Sequence, residues 1–336
     1  MTPTSRRRWM IAAVPLGLAA AAAIGFAIAE HQGWPFLKGP LQTNLAERLH
    51  RPVELGDEFR LHLLGSIRLD TSALRIGAPA NLPPDSPLAG DLVNARNAHL
   101  ELPYGTLRRW IFGNGDIAPR IVSLRASNID AKLVRSADGA ANWTFSPQRR
   151  EIEPKPTDLP SVEELVVERG HIVVDDAILQ TQLDARINTA EGAQSGGLHV
   201  QGQGKHQGRP FELDAASTGI VPLIKRSTTV AVPVRIRLRS GDAAFSFDGT
   251  GTDVMSFYAL DGDAVLSGPS LAKVGDAIGL TLPTTAPFTL KGRLGKSGTL
   301  WSLKDADLRV GESHLGGQFS VDRSQAVPML SGALTG

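Results

Sequence analysis

The sequence predicts a mainly β fold, an antiparallel meander of short hairpins carried behind an apolar N-terminal helix. Apolar and polar side chains alternate one for one through most of the chain after Glu30, the period of a half-buried strand. Gly, Asp and Pro punctuate that alternation at short intervals, as hairpin turns require. The segment before Glu30 follows a different rule, with Arg6-Arg7-Arg8 followed by an uncharged run from Trp9 to Ala29.

Those 21 residues, at ~1.5 Å rise each, reach roughly 31 Å, the depth of a hydrocarbon core. The arginines belong on the cytoplasmic side, which sends everything after Glu30 across the membrane. Two readings stand. The run is a retained anchor, or it is removed at Ala27-Ile28-Ala29, and Ser5-Arg6-Arg7 resembles a twin-arginine export signal. A run that fills a whole span favours the anchor, and the expectation is a bacterial single-pass inner-membrane protein, N-terminus cytoplasmic and body periplasmic.

Composition limits the partners. With 42% hydrophobic residues, 21% charged and a net charge of +1, the body can bury a core and has no bias toward nucleic acid. Zero cysteines exclude disulfides and thiol chemistry in an oxidising compartment. Asn142-Trp143-Thr144 matches a glycosylation acceptor by coincidence in a bacterial chain.

Leu41, Leu45 and Leu49 share one face of a short amphipathic helix that Pro52 ends. Strand alternation follows at Phe59/Leu61/Leu63, Ala98/Leu100/Leu102 and Ile129/Ala131/Leu133, interrupted by a helical stretch from Thr106 to Ile111. Asp138-Gly139 turns the chain into Trp143 and Phe145. Gln148 to Pro160, charged and proline-rich, reads as a linker or exposed loop. The organisation expected is therefore 1–30 anchor or signal, 31–147 N-terminal β domain, 148–160 linker and 161–336 hairpin repeats.

In that last region Leu165/Val167 precede Ile172/Val174, then Leu183/Ala185/Ile187, Leu198/Val200, Phe211/Leu213/Ala215, Val234/Ile236/Leu238 and Phe245/Phe247 alternate between Gly-containing turns. Ser270 is placed to N-cap a helix through Leu271, Val274 and Ile278, stopped by Pro283. Phe288/Leu290, Trp301/Leu303, Leu308/Val310 and Leu315 to Val321 close the set.

Catalytic motifs are poor. Ser270-Leu271-Ala272-Lys273 and Lys296-Ser297-Gly298 imitate penicillin-binding motifs, but they are too close and lack the S-D-N between them. Gly311-Glu312-Ser313-His314 lacks the closing glycine of a nucleophile elbow, and Gly202-Gln203-Gly204 opens no helix. The histidines are scattered; His171 with Asp175 and Asp176 is the best metal grouping and a solvated hairpin explains it better. No enzyme, cofactor or metal is expected.

Arg51-Pro52-Val53-Glu54-Leu55, Asp138-Gly139-Ala140-Ala141-Asn142-Trp143 and the stretch Leu282 to Gly317 (with Pro287-Phe288-Thr289-Leu290-Lys291-Gly292 and Trp301-Ser302-Leu303), in this order behind an apolar anchor, resemble AsmA-type proteins. The resemblance implies an inner-membrane-anchored periplasmic protein linked to outer-membrane assembly. It also implies an elongated sheet curved into an apolar groove, as in bridge-like lipid transfer proteins. Members are often longer; stopping at Leu330-Ser331-Gly332-Ala333-Leu334 marks this chain as a short member or a fragment.

An antiparallel sheet supplies such a groove because every second residue projects to one face. Groove candidates are Leu183, Ala185, Ile187, Phe211, Leu213, Val234, Ile236, Leu238, Phe288 and Leu290, with an ordinary sandwich core as the alternative. Arg235, Arg237 and Arg239 share the opposite face of their strand, either solvated or meeting lipid headgroups. The expected partners are phospholipids or other membrane lipids, the inner membrane through residues 9–29, and outer-membrane assembly components. The rival is an assembly factor that grips outer-membrane proteins through strand edges without carrying lipid.

Overall fold

The computed structural model describes residues 21–79, 82–83, 86–105, 120–144, 161–189, 197–217, 231–252, 259–278, 282–322, 324 and 329–335. The expected span at residues 9–29 lies mostly outside them, as do the helix expected from Thr106 to Ile111, Phe145 and the linker 148–160. A helix, α1, covers 21–32, and a 3₁₀ turn (Pro35–Leu37) leads into α2 (Lys38–Leu49). Among the described residues no helix is long and apolar enough to cross a membrane.

The strands are β1 (Val53–Leu55), β2 (Phe59–His62), β3 (Ile67–Ile76), β4 (Val93–Leu102), β5 (Arg120–Arg135), β6 (Ser161–Asp176), β7 (Thr181–Thr189) and β8 (Leu198–His206). They continue as β9 (Arg209–Ser217), β10 (Val232–Ser240), β11 (Ala243–Thr252), β12 (Ala259–Gly268), β13 (Phe288–Ser297), β14 (Leu300–Val310), β15 (Ser313–Asp322) and β16 (Met329–Thr335), with α3 (Leu271–Ile278) between β12 and β13. All sixteen form one long curved sheet, in chain order from β3 onward, with β1 and β2 both on the outer side of β3.

One pairing departs from the expected meander. β5 and β6 run parallel along their whole length. A parallel pair needs a crossover of a dozen or more residues, and residues 136–160 supply it. The proline-rich stretch is therefore part of a crossover, and the strands on either side of it share one sheet.

The start of that crossover folds back onto β5 and meets Arg51, just before β1. The Asn142 side chain is buried; its amide donates to the Lys132 carbonyl at 2.7 Å while its carbonyl accepts from the Val134 amide at 2.9 Å. Asn142 thus satisfies a buried stretch of β5 as a strand would. The buried Arg51 guanidinium, 93 residues away from Thr144, donates to the Thr144 carbonyl at 3.0 Å.

The first strands are closed off by helix. Gly33 ends α1 at φ +73°, and a Cβ there would come within 3.0 Å of the Arg60 backbone, so glycine lets α1 approach β2. Its carbonyl accepts from the Leu61 amide at 2.8 Å. Glu30, whose side chain is 12% exposed, accepts from Trp34 Nε1 at 2.9 Å and from the Leu63 and Leu64 amides at 2.9 and 3.0 Å. Burial pushes this carboxyl up, but those donors and His62 outweigh it and hold it below its ordinary value. Leu55, Phe59, Leu61 and Ile67 form the local core under Trp34, Leu37 and Leu41.

A seam crosses β3 to β6. The apolar parity changes from Leu69 to Leu74, from Ala95 to Ala98, from Ala126 to Ile129 and from Val167 to Gly170, at levels facing one another across the strands. Each strand absorbs one extra residue at the same height, as aligned bulges would, so neighbouring registers do not slip. Asn97 sits in this seam at φ +49° and donates to Ser127 Oγ at 3.0 Å. At β7 the seam stops, where the buried Thr189 hydroxyl accepts from the Val167 amide at 3.1 Å and donates to the Val167 carbonyl at 3.2 Å.

Thr189→Val keeps the shape but leaves both Val167 backbone groups buried without a partner, an expected loss of about 1–3 kcal/mol in urea unfolding. Glu30→Gln should likewise accelerate amide exchange at Leu63 and Leu64 at neutral pH, after correction for intrinsic rates. Because the folded carboxyl titrates below its unfolded value, the Glu30 contribution is complete above the ordinary carboxylate range of about 4.3 and is lost as pH falls through the folded value. Wild type and variant should therefore converge in strong acid.

Candidate functional site

Strand registers place all ten groove candidates on one face. Ala185, Leu213, Leu238 and Leu290 fall in a single cross-strand row that reads Ile172, Ala185, Gly202, Leu213, Leu238, Phe245, Leu266, Leu290, Leu308, Leu315 from β6 to β15. At ~4.8 Å per strand that row runs roughly 43 Å without a polar side chain. Ile187 and Ile236 belong to the next row, with Val200, Ala215, Phe247 and Ala264. Leu183 and Phe211 flank Gly204 in a third, Val234 lies opposite Gly249, and Phe288 lies opposite Gly268.

Sequence reasoning left Leu266 out and treated Phe245, Phe247, Leu308 and Leu315 as strand formers alone. The hairpin turns held the missing signal. Gly241-Asp242 fixes Ser240 opposite Ala243, and the register then carries Leu238 to Phe245 and Ile236 to Phe247.

No second sheet covers this face among the described residues. Its rows are nevertheless unequal. Phe247 is 1% exposed within a cluster with Val232, Val234, Leu260 and Ala264, while Leu213, Leu238, Leu266, Leu290, Leu308 and Leu315 are half-buried. Glycines deepen the floor. The Phe211 ring lies over Gly204, and Gly249 and Gly262 face each other so closely that a Cβ on Gly262 would come within 2.4 Å of the Gly249 Cα and 2.5 Å of the Asp248 carbonyl. Helix α3 caps one border of the face, with Val274 against Gly268 and Arg209 Nη1 donating to the Lys273 carbonyl at 3.1 Å.

Ser270 does precede α3, but its hydroxyl accepts from the Thr285 amide at 3.0 Å rather than serving its own helix. The Thr285 hydroxyl in turn accepts from the Leu271 amide at 3.0 Å. Lys296, of the second imitated motif, donates to the Gly298 carbonyl at 2.7 Å and lies 5.3 Å from the centre of the Trp301 ring.

The opposite face is stitched by charge. Arg235 donates to Asp248 at 2.8 Å and Arg237 to the same carboxylate at 2.6 Å, which places both on the side away from the apolar rows. Those two guanidiniums hold the Asp248 carboxyl below its ordinary value. Arg293 does the same for Asp261 at 2.6 Å, and Ser123 and Arg125 for Glu164 at 2.6 and 2.8 Å. His171 pairs with Asp184 at 2.9 Å and lies 3.7 Å from Asp130, rather than meeting Asp175 and Asp176. Among the described residues no three metal-ligating side chains gather.

Two concavities follow from the twist, since a strongly twisted sheet is saddle-shaped and hollow along one diagonal of each face. The larger, about 840 Å³, lies among Asp184, Arg186, Gln203, Glu212, Asp214 and Arg237 on the charged side. The smaller, about 690 Å³, opens at the strand ends where Leu183, Pro210 and Phe211 meet Lys205, Glu212 and Arg239. Around the larger one Asp184, Asp214 and Arg237 are engaged with His171, His199 and Asp248, and the two concavities share Asp184, Gln203, Glu212 and Arg239 of the charged side.

The chain is 25% identical over 230 residues to the AsmA family protein YhjG of Escherichia coli (strain K12). This match supports membership of the AsmA family. It covers 60% of this chain and 33% of the relative, so the chain spans about a third of that protein's length. No family model matches the chain, and no solved structure does.

Gly262→Val should cost about 1–3 kcal/mol or more through the Gly249 contact, read as a lower thermal midpoint. Thr250→Val, exposed on the charged side of β11, should leave the midpoint within experimental scatter.

Proposed function

We propose that this protein is a non-enzymatic, inner-membrane-anchored periplasmic protein whose apolar face binds and conducts phospholipid, contributing to outer-membrane lipid homeostasis and assembly. The uninterrupted apolar row from Ile172 to Leu315 on a single-layer sheet, half-buried except at the buried Ala185, carries this reading. A lipid tail in water costs ~0.8 kcal/mol per CH₂, so a chain of about 16 carbons costs on the order of 13 kcal/mol. A continuous apolar trough removes most of that barrier, and an ordinary sandwich core would not leave such a row accessible. Arg235 and Arg237 are engaged with Asp248 on the far side, and Arg239, on that same face of β10, lines both concavities, so the arginines of this strand face away from the row that would hold a tail.

The rival reading, an assembly factor for outer-membrane proteins, draws on β16. Among the described residues this strand pairs with β15 alone, and Met329–Thr335 carries no charge to discourage another strand.

Lipids extracted from the purified full chain after mild detergent removal distinguish the two. The expected result is bound phospholipid that falls several-fold in Leu213→Asp and Leu238→Asp, with circular dichroism unchanged, and persists in Asp214→Asn on the charged face. No lipid at any stoichiometry, or equal lipid in all three variants, defeats the transport reading; co-purifying β-barrel proteins in its place would favour the rival.

A further inference from the structure

We propose that the body also rests on the bilayer surface through an apolar foot, Phe36, Leu64 and Tyr104, lying beyond the helix that enters the membrane. The inference builds on the reading of residues 9–29 as a membrane anchor and adds a second contact, made by the folded body itself.

These three side chains are 64%, 58% and 47% exposed, high values for large apolar groups. They come from three elements that converge at one end of the sheet. Phe36 lies in the 3₁₀ turn, its ring 5.7 Å from that of Trp34, and Trp34 in turn lies 5.2 Å from Phe26 on α1. Leu64 is at the tip of the β2–β3 turn, made sharp by Gly65 at φ +83°. Its amide is held by Glu30 at the end of α1 at 3.0 Å. Tyr104 leaves β4 just past Leu102, which pairs with Ile67 beyond that same turn.

A lipid interface is the occupant these observations favour. Ile24, Phe26 and Ile28 on α1 are exposed too, and the Phe26 ring meets that of Trp34, so apolar surface on α1 adjoins the foot. Trp, Phe and Tyr rings around the end of a spanning helix are the composition of a membrane interface belt. Of the carboxylates nearby, Glu30 has its oxygens occupied by N–H donors and turned inward, and Glu101 accepts from the Ser66 hydroxyl at 2.5 Å and faces Arg68 across the strands. The Glu30 clamp also fixes Leu64 relative to α1. A helix crossing the bilayer then carries the tip to the surface where the helix emerges, and the first apolar strands begin there.

The chain has no cysteine, so single labels can be placed without other changes. Nitroxides at Ile24→Cys, Phe36→Cys, Leu64→Cys, Tyr104→Cys and Leu300→Cys, in the full chain reconstituted in phosphatidylethanolamine and phosphatidylglycerol nanodiscs, report collisions with oxygen and with a water-soluble nickel chelate. The expected oxygen-to-nickel ratio is several-fold higher at positions 36, 64 and 104 than at 300. Water-like ratios at 36, 64 and 104 with a lipid-like 24 overturn the foot and leave the anchor standing. Water-like ratios at all four overturn both, and lipid-like ratios at the foot with a water-like 24 support the foot without the anchor. Labels at 64 and 104 shielded from both reagents indicate a protein partner or a second copy, and overturn it as well.

Discussion

A one-layer sheet of sixteen strands can keep a single apolar face only if the two-residue alternation of every strand stays in step with both neighbours. A slip of one residue would exchange the faces of a whole strand. From β7 to β13 the two-residue turns Gln207-Gly208 and Gly241-Asp242 each fix one pair, and the ladders themselves hold the step across the longer connections. From β3 to β6 the strands are longer and take an extra residue each at one height, so that four bulges replace what would have been four mismatches. Thr189 ends this arrangement by giving Val167 the partners that the β6–β7 ladder does not reach. In β14 the same problem is met once, at Asp305 with φ +50°, where the pairing to both β13 and β15 shifts and then recovers.

With the faces kept apart, their chemistry divides. Charged cross-strand pairs such as Arg235 with Asp248 and Arg293 with Asp261 are about half exposed, so solvent screens them and they add little to stability. Their effect is on pairing choice and solubility, since a strand displaced by one residue would bring these charges onto the apolar rows. Carboxyls held below their ordinary range by arginine keep those pairs into mild acid. Packing stability comes from the other side, through Phe247 and its neighbours and through Leu55, Phe59, Leu61 and Ile67 beneath the first helices.

What the sequence made legible follows from the same constraint. Strands of constant parity, such as Thr181–Thr189 and Val232–Ser240, could be read as continuous alternation, and their apolar residues lie on one face as expected. In β4 and β5 only one half was legible, Ala98 to Leu102 and Ile129 to Leu133, because a fixed two-residue template loses the strand at the seam. The parallel β5–β6 pair was hidden, since a crossover rich in Pro and charge has the composition of a linker. Partners across the sheet were hidden where the register was not computed. Asp184 reaches His171 because β6 and β7 are joined by a short turn, while Asp176 projects to the other face, where Arg135 and the Ile178 and Leu179 amides hold it.

The gradient across the apolar face separates a trough from a core. In a two-layer sandwich an opposing sheet would cover the row of Leu213 and Leu238 as thoroughly as the row of Phe247, since both lie in the middle strands. Here the neighbours of Phe247 close over it, while the adjacent row stays half open from Gly202 to Leu315. Curvature accounts for both, because side chains on a concave wall converge where bending is strongest and diverge beside it, and the glycines at 204, 249 and 262 let the wall bend by removing side chains where backbone or rings approach. Such a face leaves apolar side chains half open to water, and keeping the open row narrow limits what that exposure costs.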